Sequence, residues 1–395
     1  MLNYLLIKIS YSPWIRRPWR AAKVLLFRFH KLFFNLLRSL PPPFSLGLPK
    51  GVYSDYELLL TTPPSLPGRI VLTGQGNPRV PPDSMMVLCG RRQHMELPQP
   101  IFWTHHRNIE LIGTSLAHIK KGLLCAEAGY GKSRVGDDPA YSYRRSTSHR
   151  PFDLWGDWTS LISRWMPTDS IHPYSHWLLD ALPRLALLDE FPPGVKILVP
   201  PHQLPYQVSS LQMLGLWDRC RLTSETRLRV GNYYFSSPTA MIMVYNPYAV
   251  RWLRKTFLPL VNASSPTPKR FFLRRFGPAR NITNESKVLD FFRERGWEII
   301  DPGALSFPDQ IRLFANAEAI CGIHGSAFAN VIWCPPGCRI LEIFCWGYWC
   351  GGVEWISQCL SSVEYRYLIF PSDNRFNAMV DLKKLKEAVQ SMGWG

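Results

Sequence analysis

The sequence is short of acidic side chains: 29 Asp and Glu stand against 46 Lys and Arg, a formal net charge of +17. The shortage is uneven, because residues 1–54 hold nine Lys/Arg and no acid. That asymmetry makes mere solubility a weak explanation of the charge and points to an anionic partner: a membrane surface, a nucleic acid or a phosphorylated substrate. An uninterrupted apolar run is missing from the N-terminal arm, which falls short of the ~18–20 apolar residues of a spanning helix. Regular cysteine spacing is missing as well. The nine Cys are odd in number and irregularly placed, and no recognisable signal peptide precedes them. A reduced compartment is therefore expected, rather than a disulfide framework. Internal repeats are absent. So is a complete phosphate-binding loop: Gly131-Lys132-Ser133 needs a glycine at position 126, where the chain has Ala126. Cys334, Cys338, Cys345 and Cys350 lack the usual Cys-X2-Cys zinc spacing and read as buried, apolar thiols, so no metal is expected.

Aromatic residues are plentiful, with 15 Trp, 16 Tyr and 21 Phe, and they exclude a disordered chain. At 395 residues there is room for two domains. Residues 1–45 form a basic amphipathic arm. On a helical wheel Lys23, Arg28, Lys31, Asn35 and Arg38 share one broad arc, and Leu25, Leu26, Phe29, Leu32, Phe33, Leu36 and Leu37 fill the other. That is the pattern of a helix lying on anionic lipid, with packing on the protein body as the alternative. Pro41-Pro42-Pro43 ends it. Strand-like runs at Ile70–Leu72 and Met85–Leu88 follow, then a polar loop from Tyr130 to Arg150.

Further along, the apolar period alternates between two and about 3.6 residues. Helices are predicted from Tyr174 or Ser175, over Pro205–Leu214 and over Ala249–Leu260, with strands at Val195–Val199 and Asn232–Phe235. A Ser/Pro-rich stretch, Asn262–Lys269, suggests a domain boundary, giving an acceptor-side domain at 46–262 and a second domain at 263–375. Within the second, strands at Phe271–Phe276, Trp297–Ile300, Ala319–Ile323 and Arg339–Phe344 alternate with helices at Asn284–Arg295, Pro308–Asn316 and Ser326–Trp333. A helix at 352–360, a strand at 364–370 and a closing helix within 376–395 follow. Strict strand–helix alternation predicts a parallel sheet, which binds ligands at the carboxyl ends of its strands.

The candidate site residues gather at that kind of end. His324-Gly325-Ser326 links a strand to a helix whose first N–H groups favour an anion such as a diphosphate. Arg274, Arg275 and Arg280 follow the first strand of the same unit, and a guanidinium fork suits phosphate. Glu342 is placed to bond sugar or ribose hydroxyls, or else to pair with one of those arginines. Upstream, His176 and Asp180 lie four residues apart on one helical face.

These segments resemble family 61 glycosyltransferases. Arg275, Arg280, Asn284-Glu285, the run Gly322-Ile-His324-Gly325-Ser326-Ala-Phe-Ala-Asn330, and Ile340-Leu-Glu342 recur there in this order, as does His176-Trp177-Leu-Leu-Asp180-Ala-Leu-Pro183-Arg184-Leu185 upstream. The resemblance implies an α/β protein of GT-B type, two Rossmann-like domains facing a cleft. It implies inverting transfer from a nucleotide-sugar, usually a UDP-sugar, without an obligatory metal or other cofactor. On that basis Arg275, Arg280 and the His324–Ser326 turn are assigned to the donor diphosphate. Asn284 and Glu285 are expected to hold Arg280 or cap their helix, and Asn330 to brace the turn. Glu342 is assigned to hydroxyls. His176 is the expected catalytic base, with Asp180 orienting it or acting itself. The chain has Ala327-Phe328 where Gly followed by Leu is more usual, which leaves the donor base and sugar open. The triplets at Asn262, Asn281 and Asn284 read as accidental glycosylation matches. The expectation is a bacterial enzyme of capsular or surface polysaccharide synthesis acting on a glycan or lipid-linked acceptor. It would be cytoplasmic and peripheral at the inner membrane face, with no nucleic acid partner. The rival reading is a non-catalytic basic α/β protein that binds membrane or nucleic acid.

Overall fold

A computed structural model of the protein describes residues 51–60, 67–72, 85–88, 91–94, 101–120, 123–125, 127–128, 150–163, 166–169, 173–241, 244–262, 265–360 and 363–394. The basic arm, the Gly131-Lys132-Ser133 segment and nearly all of the predicted polar loop lie outside these residues. Among the described residues no helix is long and apolar enough to cross a membrane.

Two sheets carry the architecture. The first has nine strands: β1 (Gly51–Tyr53), β2 (Gly68–Leu72), β5 (Ile101–Ile112), β6 (Ala117–Lys120), β7 (Leu123–Cys125), β8 (Phe152–Ser160), β9 (Lys196–Val199), β10 (Cys220–Leu222) and β11 (Arg227–Ser236). Their order is β1-β7-β6-β5-β11-β8-β9-β10, with β2 paired to β5. Separate two-stranded ribbons join β3 (Met85–Leu88) to β4 (Arg91–His94) and β12 (Ala240–Met241) to β13 (Val244–Tyr245). The long β5 and β11 pair antiparallel, whereas β11, β8, β9 and β10 run parallel. The first half is thus a mixed sheet rather than the expected parallel Rossmann-like one. A short helix, α1 (Asp55–Leu59), follows β1.

The second sheet has five parallel strands in the order β15-β14-β16-β17-β18: β14 (Arg270–Leu273), β15 (Glu298–Ile300), β16 (Ala319–Ile323), β17 (Arg339–Cys345) and β18 (Glu364–Phe370). The strand–helix alternation therefore reads correctly. β16 is buried along its whole length, as a central parallel strand covered on both faces should be. Its helices begin where capping chemistry dictates. Ser306 accepts the Asp309 N–H and Pro308 sits in the first turn of α6 (Phe307–Ala315). Asp381 accepts from the N–H groups of Lys383 and Lys384 at the start of α8 (Leu382–Ser391). β14 ends three residues before its predicted end. Arg274 donates its N–H to Ile300, and the chain then turns off the sheet toward an exposed Phe276.

The largest core spans both halves. Trp177, Leu178, Leu182, Leu185 and Val199 pack in one cluster with Phe271, Leu273, Phe307, Phe314 and Trp333. On the other face of the second sheet Phe272, Phe292, Trp297 and Leu341 join Leu385, Val389 and Trp394. Burial of an aromatic or leucine side chain of this kind contributes about 1.5–3 kcal/mol. The remaining helices are α2 (the coil Tyr174–Glu190 described below), α3 (Pro205–Met213), α4 (Pro247–Phe257), α5 (Glu285–Arg293) and α7 (Gly352–Leu360). Asn246 caps α4 by accepting the Tyr248 N–H.

Candidate active site

α2 is not one regular helix. Tyr174–His176 is a single α-turn, Trp177–Ala181 is π-helical and Leu182–Glu190 is a 3-10 coil. Pro183 supplies the reason. It has no N–H to give the carbonyl of Leu179, four residues back, so the regular ladder breaks there. The Leu179 carbonyl instead accepts from the Thr239 hydroxyl at 3.4 Å. The widened turn carries Asp180 and is preceded directly by His176, and His176 Nδ1 lies 2.6 Å from Asp180 Oδ2. A π-turn at such a pair is a common mark of a functional position.

Four residues further on, Arg184 is buried, with no carboxylate partner among the described residues. Its Nε and Nη2 donate to the Ser236 carbonyl at 3.2 and 2.8 Å, and Nη1 donates to Ile162 at 3.4 Å. Burial pulls its pKa down, opposed by neighbouring Tyr233. This arginine ties α2 to the first sheet.

The predicted turn lies at the carboxyl end of β16. Ser326–Trp333 forms a 3-10 coil where an ordinary helix was expected. The three-residue period suits Asn330 and Trp333, whose indole donates to Asn330 Oδ1 at 3.0 Å. Asn330 is the link to α2. Its Oδ1 also accepts the Tyr174 hydroxyl at 2.6 Å, and its Nδ2 donates to Gln310 Oε1 at 2.8 Å. The segment bearing His176 is thereby bonded to the coil that follows His324.

Two glycines set the close approach at this turn. A Cβ on Gly322 would lie 2.7 Å from the Leu273 carbonyl, so β14 and β16 could not keep their spacing. A Cβ on Gly325 would lie 2.7 Å from Arg275 Nη1. Arg275 therefore lies directly over the turn, with its Nε donating to Ala279 at 3.3 Å. Arg280 stands with its guanidinium 4.3 Å from the centre of the Tyr348 ring. Its φ of 63° is a conformation that few residues other than glycine adopt, and such strain clusters at functional positions. Arg275 and Arg280 both act on Cys345: burial raises its pKa to about 11, and the two guanidinium charges restrain the rise.

His324 is buried, stacked on Phe344 at a centroid separation of 4.8 Å. Its Nδ1 lies 2.6 Å from Glu342 Oε1, and its Nε2 lies 3.5 Å from Cys350 Sγ. Burial works against the imidazolium, but the neighbouring Cys350 sulfur and Glu342 carboxylate outweigh it and push the His324 pKa up to about 9. Glu342 is 0% exposed, and its second oxygen accepts the Tyr365 hydroxyl at 2.8 Å. Both oxygens are thus engaged by protein. Neither expected role, direct contact with hydroxyls or pairing with an arginine, matches this placement; Glu342 positions His324.

Two other expectations change. Glu285 binds Arg274, not Arg280, with a fork of 3.1 and 2.7 Å. Asn284 makes no side-chain cap; it bonds the backbone of Val380 in both directions, at 2.8 and 3.0 Å. Both residues hold the loop that presents Arg275 and Arg280, from its two ends. Tyr245, Tyr348 and Tyr365 were not singled out from the sequence, and Cys350 was weighed only within a zinc set, because an aromatic or thiol in an apolar stretch reads as core. Tyr245 connects the two parts of the site. Burial drives its pKa upward, and the nearby charges of Asp180, Cys350 and Glu342 push the same way. One buried hydroxyl therefore lies within electrostatic reach of both the His176–Asp180 pair and the His324–Glu342 pair.

The four cysteines weighed as a zinc set are buried thiols. Cys334 and Cys338 interact with each other, and burial raises the pKa of Cys334.

A comparison with curated proteins finds no match. The family model described as Glycosyltransferase 61 matches residues 174–341. The matched stretch opens on α2 and closes in β17, so it takes in the His176–Asp180 pair, both arginines and the His324 turn. Residues 174–341, somewhat under half of the chain, are thus similar to glycosyltransferase family 61, and this match supports a glycosyltransferase enzyme.

Proposed function

We propose that the enzyme transfers a sugar with inversion from a nucleotide-sugar, a UDP-sugar in the first instance, to a glycan or lipid-linked acceptor. The observation that carries this reading is the hydrogen bond from Tyr174 to Asn330, which joins the His176 segment to the His324 turn. It sets a histidine–carboxylate pair beside a strand end furnished with two arginines. Inverting transfer needs those two functions together: a base for the acceptor hydroxyl, and positive charge for the departing diphosphate.

In this reading Asp180 accepts the Nδ1 proton of His176 and leaves Nε2 as the basic nitrogen. Nε2 takes the acceptor proton as the acceptor oxygen attacks the anomeric carbon. The bond to the diphosphate oxygen breaks, and the charge passes to Arg275, Arg280 and the N–H groups at Ser326. These groups supply the charge stabilisation, and the chemistry calls for no metal. The His324 imidazolium, held by Glu342, adds positive potential at the same strand end. The two sheets would form the facing halves of a GT-B arrangement. The basic segment 1–40 would hold the enzyme at an anionic membrane, on the cytoplasmic side, in surface polysaccharide synthesis; nucleic acid has no part in it.

A transfer assay tests the base. With a nucleotide-sugar identified by thermal-shift screening, His176→Ala should lower kcat by about a hundredfold or more while donor affinity survives. Unchanged kcat would remove His176 from the chemistry.

A further inference from the structure

Away from this site, the opposite edge of the nine-stranded sheet holds a buried cluster with different chemistry. Asp55 follows β1 and opens α1, His106 lies on β5, His118 on β6, and Cys125 ends β7. All four are buried, with Asp55 and His118 at 0% exposure. One donor atom from each of Asp55, His118 and Cys125 lies within 4.8 Å of the other two. His106 stands beside them: its Nε2 is 2.9 Å from Asp55 Oδ2, and His118 Nε2 is 2.8 Å from the same oxygen. The Thr104 hydroxyl donates to that oxygen too, at 2.8 Å.

The crowding is one-sided. Among the described residues three groups converge on Asp55 Oδ2, while the buried Asp55 Oδ1 accepts no hydrogen bond. Leaving a lone pair of a fully buried carboxylate unused is costly, and such an atom in a folded protein points to an unplaced ligand. A proton donor would satisfy it, but the surroundings are Asp, His and Cys, which are metal-binding side chains.

We propose that Asp55, His118 and Cys125, with His106 as the fourth ligand, bind a structural zinc ion. Zinc lies about 2.0–2.3 Å from oxygen, nitrogen and sulfur ligands in a tetrahedron. Three of the donors already lie within 4.8 Å of one another, and His106 Nε2 lies 2.9 Å from Asp55 Oδ2. The charges balance: one carboxylate and one thiolate neutralise a divalent ion, and the two imidazoles bind as neutral bases. The Cys125 thiol donates to Glu127 Oε2 at 3.2 Å. Zinc binding displaces that single proton to solvent, and Glu127 keeps the Asp55 N–H at 3.1 Å and the Ser54 hydroxyl.

The fold gives the ion a purpose. β1 and β7 have three residues each and β6 has four. Strands this short are weak on their own. A four-ligand ion would fasten β1, β5, β6 and β7 together at a sheet edge. Complete burial makes this a closed, structural site rather than one with an open position for substrate.

The test uses the full-length protein, purified without metal-affinity resin. Elemental analysis should find about one zinc per chain after desalting, and a strong chelator should remove it with a fall in Tm that added zinc reverses. Cobalt exchanged into the stripped protein should show the sulfur-to-cobalt charge-transfer band and the visible bands of a tetrahedral site. Cys125→Ser and His118→Ala should lose the zinc and the band, whereas Cys334→Ser should keep both. A wild-type protein that takes up no zinc, or whose cobalt form has no thiolate band, would overturn the proposal even if the variants fail to fold. So would zinc that persists in folded Cys125→Ser protein.

Discussion

Glu342→Gln is the sharpest probe of how the site holds its charge. The carboxylate is fully buried and its Oε1 lies 2.6 Å from His324 Nδ1. With Cys350, it raises the His324 pKa from the ordinary 6.5 to about 9 despite burial. A raised histidine pKa stabilises the folded state fully below the unfolded value. That stabilisation is lost as pH rises through the folded value. The window here is therefore pH 6.5 to about 9. At 1.36 kcal/mol per pKa unit the whole shift amounts to roughly 3 kcal/mol, which Glu342 shares with Cys350. The glutamine variant keeps the shape and removes the charge. Urea unfolding across that window should show the variant less stable by about 1–3 kcal/mol at the acid end. The gap should close toward the alkaline end as wild-type His324 deprotonates. Parallel stability curves for the two proteins, with a constant gap at every pH, would refute the claim that Glu342 keeps His324 charged.

The other predictions concern close contacts. Gly325→Ala should push the Arg275 guanidinium off the turn, because the new methyl meets only the end of that flexible side chain. Thermal stability should hardly change while donor KM rises. Gly322→Ala meets the Leu273 backbone instead, and should cost about 1–3 kcal/mol in unfolding free energy, the range for overpacking a tight core. Arg184→Leu leaves the buried carbonyls of Ser236 and Ile162 without their donor and should cost about 2–4 kcal/mol, read as a lowered Tm.

Much of the second half was legible because parallel strands write themselves as short apolar runs between capped helices. Ala319–Ile323 and Arg339–Cys345 have no polar face to confuse the period, and Ser306 and Asp381 announce their helices. The first half hides its strands. In β5 the apolar pattern is broken by His105, His106, Arg107 and Asn108, and Asn108 takes a positive φ of 47° within the strand. β8 carries an exposed Trp155 and ends on buried Thr159 and Ser160, so polarity and burial part company. At the site, the strand ends that carry Arg275, His324 and Glu342 were legible in the sequence, but the partners of these side chains were not. The contacts that fix them run from residue 274 to 285, 284 to 380, 324 to 342 and 342 to 365. Adjacency in the chain says nothing about such pairs; sheet register decides the last two, and the path of the loops around 274–284 and 380 decides the first two. Glu342 shows the consequence. A glutamate near a strand end suggested an open ligand contact, yet its register beside Gly322 and Tyr367 turns it inward to His324 and Tyr365.

The donor site itself is tested most directly by titration calorimetry of UDP into wild-type, Arg280→Ala and His176→Ala proteins. Two charged hydrogen bonds lost from a diphosphate correspond to several kcal/mol, and even one to about 1.5–3 kcal/mol. Arg280→Ala should weaken UDP binding at least tenfold, while His176→Ala should bind UDP like the wild type. Equal affinity in wild type and Arg280→Ala would contradict the assignment of the diphosphate to the Arg275, Arg280 and His324 strand end.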